Sequence, residues 1–490
     1  MKKMIFGFLA FVVAITGMPL QALAVTSPFD AYLYDRVRWG QTVPSINGYV
    51  PEASFSGQSL GVGAFSSPSD LFVTAEGLLY IADTGNHRIV VVNIARVVYE
   101  VVDVIDGFHN HYTGEGDTFN RPQGIFVTPE GYLYVADTNN GRIVTIDPMG
   151  NMTRIIGEPV SELLPEHFIY RPRKLAVDRG GRVFVVAEAT TEGLMQFSSH
   201  GEFIGFFGGN FVSVSVTEIL LRLFLTAEQR ARRSIHIPTE YSNVLIDANN
   251  FIYVTTVRQT SNQVKRLNFM GMNILRHDGP TLTVFGDLVG WAGDGHSIVD
   301  VSVDAYNNFT ILDSGRGRLY QYNQLGELMF IMGGIGDSLG LFRSPVALDQ
   351  FEGRFFVLDS TTNDITTFVK NEFGALVHTA NNAFFAGDYE TAAAGWHEVL
   401  RLNVNFGLAY VGLGHEAMRQ RDYNGARYFF RQANHRTGYS RAFREARNGW
   451  LRRNFTVYSV GIVLFVVVFM ATGKKRRRLV RRVNAYFYNT

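Results

Sequence analysis

The chain has 490 residues, 46% of them hydrophobic and 18% charged, which is enough apolar material for two or more packed domains and excludes wholesale disorder. With no cysteine it has no disulfide, thiolate metal site, cysteine nucleophile or lipidated N-terminal cysteine. The net charge of +1 hides an acidic body: seven cations beyond residue 473, two N-terminal lysines and an arginine excess over 378–453 leave residues 25–377 at −13, which excludes nucleic acid as a partner.

At the N-terminus Lys2 and Lys3 precede an uncharged apolar run from Met4 to Met18, and Ala22-Leu23-Ala24 supplies small residues of the kind signal peptidase accepts. Residues 1–24 therefore read as a signal peptide, with an uncleaved anchor as the alternative, and 25–44 as an N-terminal extension. From about 45 to 374 one frame recurs six times. Leu79-Tyr80-Ile81-Ala82-Asp83-Thr84-Gly85-Asn86-His87-Arg88-Ile89 is matched by Leu133-Tyr134-Val135-Ala136-Asp137-Thr138-Asn139-Asn140-Gly141-Arg142-Ile143, and weaker copies begin at Val183, Phe251, Phe309 and Phe355. Each copy alternates apolar and polar residues behind a turn such as Glu76-Gly77. It follows a shorter strand that is often led by a proline (Pro68, Pro122, Pro172, Pro345). Four short strands repeated six times predict a six-bladed β-propeller. The sixth copy lacks a fourth strand, and Tyr49 to Phe55 reads as the strand that closes the ring.

These residues resemble the NHL repeat family, whose second strand ends in Asp-Thr-Gly-Asn-x-Arg-Ile, here Asp83 to Ile89. The resemblance is strong in the first two copies and weak in the third and fourth, where Glu188 and Thr255 stand for the aspartate. Acid and base five residues apart, in Asp83/Arg88, Asp137/Arg142 and Asp313/Arg318, suit structural pairs that tie the second strand to the third across a tight turn; Asp359/Asp364 breaks the pattern. Between the third and fourth copies, about 214–233, Ile219, Leu220, Leu223 and Phe224 fall at helical spacing and predict an inserted amphipathic helix.

Beyond the propeller, residues 375–453 carry Asp388-Tyr389 with Trp396 and, 34 residues on, Asp422-Tyr423 with Phe430, the period of a tetratricopeptide repeat. A small helical solenoid resembling that family is expected, with a capping helix starting near Tyr439. Residues 454–473 hold no charge and are long enough to cross a hydrocarbon core of ~30 Å. The basic tail 474–490 follows at once, so the C-terminus is expected in the cytoplasm and the propeller outside.

Candidate chemistry is sparse. His109 and His111, with Glu115 or Asp117, are the available metal-ligand candidates, but two histidines without a third partner fall short of a metal signature, and a solvated loop is the competing reading. No Gly-x-Ser-x-Gly elbow or phosphate-cradling glycine motif occurs. The sequence points to no catalytic residue and no cofactor, leaving a divalent metal in the propeller channel open. The whole plan resembles single-pass membrane proteins of Gram-positive bacteria associated with carbohydrate ABC transporters. That resemblance implies a surface binding protein or scaffold that captures a glycan or a protein partner, docks to transporter membrane subunits and requires no turnover. The alternative is a metal-dependent surface lyase or lactonase on the same scaffold.

Overall fold

The computed structural model describes residues 32–37, 41–44, 46–165, 167–209, 240–257, 263–275 and 297–487. The proposed signal segment 1–24 and the helical insert 214–233 lie outside them. In the N-terminal extension, β1 (Tyr32–Val37) and β2 (Gln41–Pro44) form an antiparallel pair. The strand that follows, β3 (Tyr49–Ser56), joins the propeller.

The blades are antiparallel sheets that run in sequence from the inner strand outward. Blade one is β4 (Asp70–Val73), β5 (Leu78–Asp83), β6 (Arg88–Asn93) and β7 (Glu100–Ile105). A hairpin, β8 (Gly107–Asn110) and β9 (Glu115–Thr118), leads into blade two, made of β10 (Pro122–Val127), β11 (Leu133–Asp137), β12 (Arg142–Ile146) and β13 (Met152–Ile156). Blade three is β14 (Pro172–Val177), β15 (Val183–Ala187), β16 (Leu194–Phe197) and β17 (Phe203–Phe207). Blade four shows three strands among the described residues, β18 (Tyr241–Ile246), β19 (Ile252–Thr256) and β20 (Val264–Leu267). Blade five is β21 (Ile298–Val303), β22 (Phe309–Asp313), β23 (Arg318–Tyr322) and β24 (Leu328–Gly333). Blade six is β25 (Pro345–Phe351), β26 (Arg354–Asp359) and β27 (Asp364–Lys370), and its fourth strand is β3, with Tyr49 opposite Lys370 and Ser56 opposite Asp364. The two ends of the propeller are therefore held in one sheet, and the ring cannot open without breaking that ladder.

Side chains alternate across each strand, so a middle strand feeds the interfaces on both its sides. Leu79 and Ile81 of β5 pack with Ala347, Phe356 and Leu358 of blade six. Tyr80 and Ala82 turn the other way, towards Ile125, Val127 and Val135 of blade two. Both faces are covered, so β11 is buried from Leu133 to Asp137 and reads as an unbroken apolar run closed by an acid.

Strand pairing corrects the repeat alignment. Pro122 stands opposite Asp137 in blade two, whereas the matching partners are Pro172 with Ala187 in blade three and Tyr241 with Thr256 in blade four. The residues at the aspartate position are thus Ala187 and Thr256, one place from Glu188 and Thr255 in each case. Neither residue carries a carboxylate that could have marked the register.

Five helices follow: α1 (Glu372–Ala386), α2 (Tyr389–Leu402), α3 (Gly407–Arg419), α4 (Tyr423–Gln432) and α5 (Arg436–Phe487). Side-chain caps start three of them, with Asn371, Asp388 and Asp422 accepting from the N–H of Gly374, Thr391 and Gly425 respectively. Asp388 and Asp422 keep the 34-residue spacing, as do the buried pair Trp396 and Phe430. The chain divides into two compact units, residues 1–405 and 406–490, so α1 and α2 group with the blades, beyond the boundary at 374. A cause is visible at α1. A Cβ on Gly374 would meet the Gly48 carbonyl oxygen at 2.0 Å. His378 Nε2 lies 2.9 Å from the Tyr49 hydroxyl and 3.0 Å from Gln321 Oε1. Burial pushes the His378 imidazole down to about 3, which keeps it neutral. In the second unit α5 is one continuous helix of 52 residues, so the expected capping helix and the apolar segment are a single element. Its stretch Arg436–Gly473 is long and apolar enough to cross a membrane.

Candidate functional site

The site is built by a repeated irregularity in the inner strands. In blades two to six the pairing of the inner strand skips one residue just after its start, a β-bulge. The skipped residues are Gln123, Arg173, Ser242, Val299 and Val346, and Ser69 precedes β4 at the equivalent place in blade one. All six line a cavity of about 860 Å³ at the mouth of the central channel, within the range of ligand pockets. Bulges re-aim side chains in this way at barrel rims and active sites. Around this ring stand Ser67, Thr84, Arg121, Thr191, Glu240 and Ser360.

The hydroxyls of the mouth mostly stitch blades together. Ser69 Oγ donates to Gln123 O at 3.0 Å, Ser242 Oγ to Ile298 O at 2.7 Å and Thr84 Oγ1 to Pro122 O at 2.6 Å. The cations are less committed. Arg173 Nε donates to Gln123 Oε1 at 3.1 Å, and among the described residues no carboxylate pairs with the guanidinium of Arg121 or Arg173. Glu240 is the acid that lines the rim. An acidic protein body thus opens through a cationic mouth.

One residue further along each inner strand lies the waist: Asp70, Gly124, Lys174, Asn243, Asp300 and Ala347. The residual void here is about 30 Å³, roughly one water molecule. Lys174 Nζ donates to Asp70, and Asn243 Nδ2 to Asp300. Each acid also reaches the next blade. Asp70 Oδ2 accepts from Ile125 N at 2.8 Å, Asp300 Oδ2 from Leu348 N at 2.7 Å, and Asp349, one layer deeper, accepts from Val73 N at 2.8 Å. Burial pushes Asp300 up to about 7, although Lys174 and the backbone donors pull it back, and pushes Asp349 up to about 6. These groups close the channel and bind blade to blade.

The repeat aspartates are spent in the same manner. Arg88 Nε donates to Asp83 at 2.8 Å, Arg142 Nε to Asp137 at 2.8 Å, and Asp313 stands cross-strand from Arg318. The second carboxylate oxygen accepts the incoming loop, from Ser66 N on Asp83, Asn120 N on Asp137 and Ser297 N on Asp313. In blade six Asp359 faces Asp364 and takes the N–H groups of Arg343 and Ser344. His109 and His111 are exposed on the β8–β9 hairpin. There Asp117 is held by both terminal nitrogens of Arg142, at 2.6 and 2.9 Å, which draws its carboxyl down to about 2. Among the described residues no group of three histidines or carboxylates stands close enough to hold a metal ion.

Arg121, Gln123, Arg173 and Lys174 carry the mouth and waist, and motif reading passed over them. Their signal is positional: the two residues after each strand-leading proline, as in Pro122-Gln123-Gly124 and Pro172-Arg173-Lys174, supply one mouth and one waist residue.

The NHL repeat family model matches residues 65–92 and 119–146, which are blades one and two; the chain thus carries NHL repeats on a six-bladed propeller. No curated protein matches the chain. Solved structures with a similar fold include virginiamycin B lyase from Staphylococcus aureus, 10% identical with a TM-score of 0.41, the match covering 66% of this chain and 100% of that one. A streptogramin B lyase is 8% identical with a TM-score of 0.39, over 66% of this chain and 98% of that one. A protein of unknown function from Bacteroides thetaiotaomicron is 12% identical with a TM-score of 0.40, over 63% of this chain and 70% of that one. Likeness at this level transfers neither residues nor activity.

Proposed function

We propose that this chain is a membrane-anchored binding protein whose propeller mouth captures a saccharide bearing an anionic group. The observation that carries the proposal is the mouth itself. Bulged inner strands present an amide, hydroxyls and a guanidinium around a cavity of about 860 Å³, while Arg121 and Arg173 face it without a carboxylate partner among the described residues. A polyhydroxylated ligand uses the amide and hydroxyl groups, and an anionic substituent supplies the charge that the arginines lack. The repeat carboxylates are already bonded within the blades, which suits a rigid receptor more than an acid–base catalyst. In this reading the helix within Arg436–Gly473 anchors the protein with its propeller outside the cell. The 34-residue helical period then makes a tetratricopeptide-like stalk, a docking element for the membrane subunits of a carbohydrate transporter.

The test is a titration of the full-length protein in nanodiscs with neutral and acidic oligosaccharides, followed by calorimetry. Acidic saccharides are expected to bind, and Arg121→Gln with Arg173→Gln is expected to weaken them by roughly tenfold or more. Equal affinity in the double variant, or no saccharide binding at all, would overturn the reading.

A further inference from the structure

The second compact unit holds a groove that the proposed ligand capture does not use. It lies between the start of α4 and the segment of α5 just before the apolar stretch, encloses about 450 Å³, and is lined by Arg421, Arg427, Arg447, Trp450 and Arg453 together with Asp422. The one acid is committed as the α4 cap, with Asp422 Oδ1 accepting from Gly425 N at 3.0 Å. Among the described residues none of the four arginines has a carboxylate partner. Arg427 is fixed by aromatic contacts, its guanidinium 5.5 Å from the Tyr439 ring centre and 5.2 Å from that of Phe443. It also donates to the Tyr439 hydroxyl at 3.3 Å. Four unneutralised guanidinium groups around one concavity repel each other, an arrangement that an anion relieves.

We infer that this groove is a binding site for the phosphate headgroup of an anionic phospholipid from the leaflet that α5 enters. Continuity with the apolar segment argues for a lipid. Arg453 directly precedes the uncharged residues 454–473, and α5 runs unbroken through both. At ~1.5 Å per residue, Arg447 stands only about 10 Å above the first uncharged residue, and headgroups add roughly 5–7 Å beyond each side of the hydrocarbon core. Trp450 is half-exposed and packs against Tyr458, their ring centres 5.3 Å apart, as interfacial aromatics do. Arginine forks suit phosphate oxygens, so Arg447 and Arg453 are the residues placed to take the headgroup phosphate, with Arg427 and Arg421 above them.

The inference rests on the membrane-anchored reading, and the experiment separates the two. The full-length chain is reconstituted into nanodiscs of phosphatidylcholine containing a minor fraction of phosphatidylglycerol, and retained lipid is counted by native mass spectrometry. Failure to enter nanodiscs would defeat the anchor, and the groove with it. With incorporation intact, retention of phosphatidylglycerol over phosphatidylcholine is expected, falling roughly thirtyfold in Arg447→Gln/Arg453→Gln and only partly in the corresponding lysine variant. A variant with the cations of 474–482 neutralised controls for the tail and is expected to keep the selective lipid. Unchanged retention in the glutamine variant, loss only in the tail variant, or displacement of the lipid by millimolar inorganic phosphate would each overturn the assignment. Helix content by circular dichroism confirms that the variants are folded.

Discussion

Blades one and two differ from blades three and four in where they keep their ion pairs. In the first two, Asp83–Arg88 and Asp137–Arg142 sit at the turn between second and third strands, beside the mouth. In the next two, the equivalent places hold Ala187 and Thr256; blade three keeps only an exposed mouth-end pair, Arg171 with Glu188 at 3.5 Å, and the buried acids lie at the opposite end of the blade, Asp178 with Arg182 and Asp247 with Arg266 at 3.0 Å. Asp178 and Asp247 each follow an inner strand and also bend the next turn, with Asp247 Oδ1 accepting from Asn249 and Phe251 N–H. One strand scaffold therefore tolerates either location. The choice decides at which end of the blade the buried carboxylate sits: Arg173, on blade three, has no repeat carboxylate behind it.

The strongest way to break this comparison is to remove an acid at the mouth end. Asp83 is fully buried and accepts from Arg88, Asn86 and the Ser66 backbone. Asp83→Ala takes the acceptor from Arg88 Nε and Ser66 N, while Asn86 Nδ2 keeps only Ala64 O, and should cost about 4 kcal/mol in denaturant unfolding of the full-length protein. Asp137→Ala should cost less, by about 1 kcal/mol, because Arg142 keeps Asp117. Equal losses would mean that Arg142 gains nothing from its second carboxylate.

The reverse experiment puts an acid where blade three has none. Continuing the β15–β16 register, in which Val185 stands opposite Met195, sets Gly193 opposite Ala187. Ala187→Asp then buries a carboxylate without the arginine that blade two provides. A loss of about 3 kcal/mol is expected, and adding Gly193→Arg should not restore it fully, because Gly193 has φ 137° and a Cβ there would approach Phe207 O at 2.6 Å. Stability unchanged by the acid alone would show that the blade-three turn is solvated.

The same contrast explains what was legible from residues alone. Blades one and two announce themselves because Asp-Thr-x-Asn-x-Arg is both the motif and the mechanical clasp. The closing strand at Tyr49 was readable because blade six is one strand short. Blades three and four show only apolar periodicity, which fixes a strand's existence but leaves its register open by one residue, hence Glu188 and Thr255 for Ala187 and Thr256. The mouth was hidden for a different reason. Arg121, Gln123 and Arg173 come together only when bulges turn one residue per inner strand upward, and no linear spacing encodes that convergence. Nor does periodicity tie α1 to the blades. A glycine-on-glycine contact does, at Gly48 and Gly374, with the neutral His378 beside it.

A third contrast runs around the waist, where blades five and one supply Asp300 and Asp70, with Asp349 of blade six one layer deeper, while blades two to four supply glycine, lysine and asparagine. Burial raises the folded pKa of Asp300 to about 7 and of Asp349 to about 6. The native state therefore holds protons that the unfolded chain has released. The resulting stability is fully present below about pH 4 and is lost as pH rises through 6 and 7. These two groups should lower the unfolding free energy by about 2 kcal/mol between pH 6 and pH 8, read from denaturation midpoints across that range. A flat profile would place both carboxylates in the ionised state throughout, held by Lys174 and the backbone N–H groups.

The smallest expected effect sharpens the opening contrast. Arg182 is 44% exposed, and Asp178 keeps its backbone donors, Gly180 N and Arg182 N, when the guanidinium is cut away. Arg182→Ala should therefore cost only about 0.5–1 kcal/mol, several-fold less than the loss of Asp83, with part of it from the guanidinium lying 5.7 Å from the Phe184 ring centre. If it costs as much as Asp83→Ala, the pair at the far end of the blade is a full mechanical substitute for the clasp at the mouth, and blades three and four have moved their stabilising charge without loss. If it costs as little as expected, those blades rely on apolar burial along Val183 to Ala187, and the absence of acids beneath Arg173 comes at little mechanical cost.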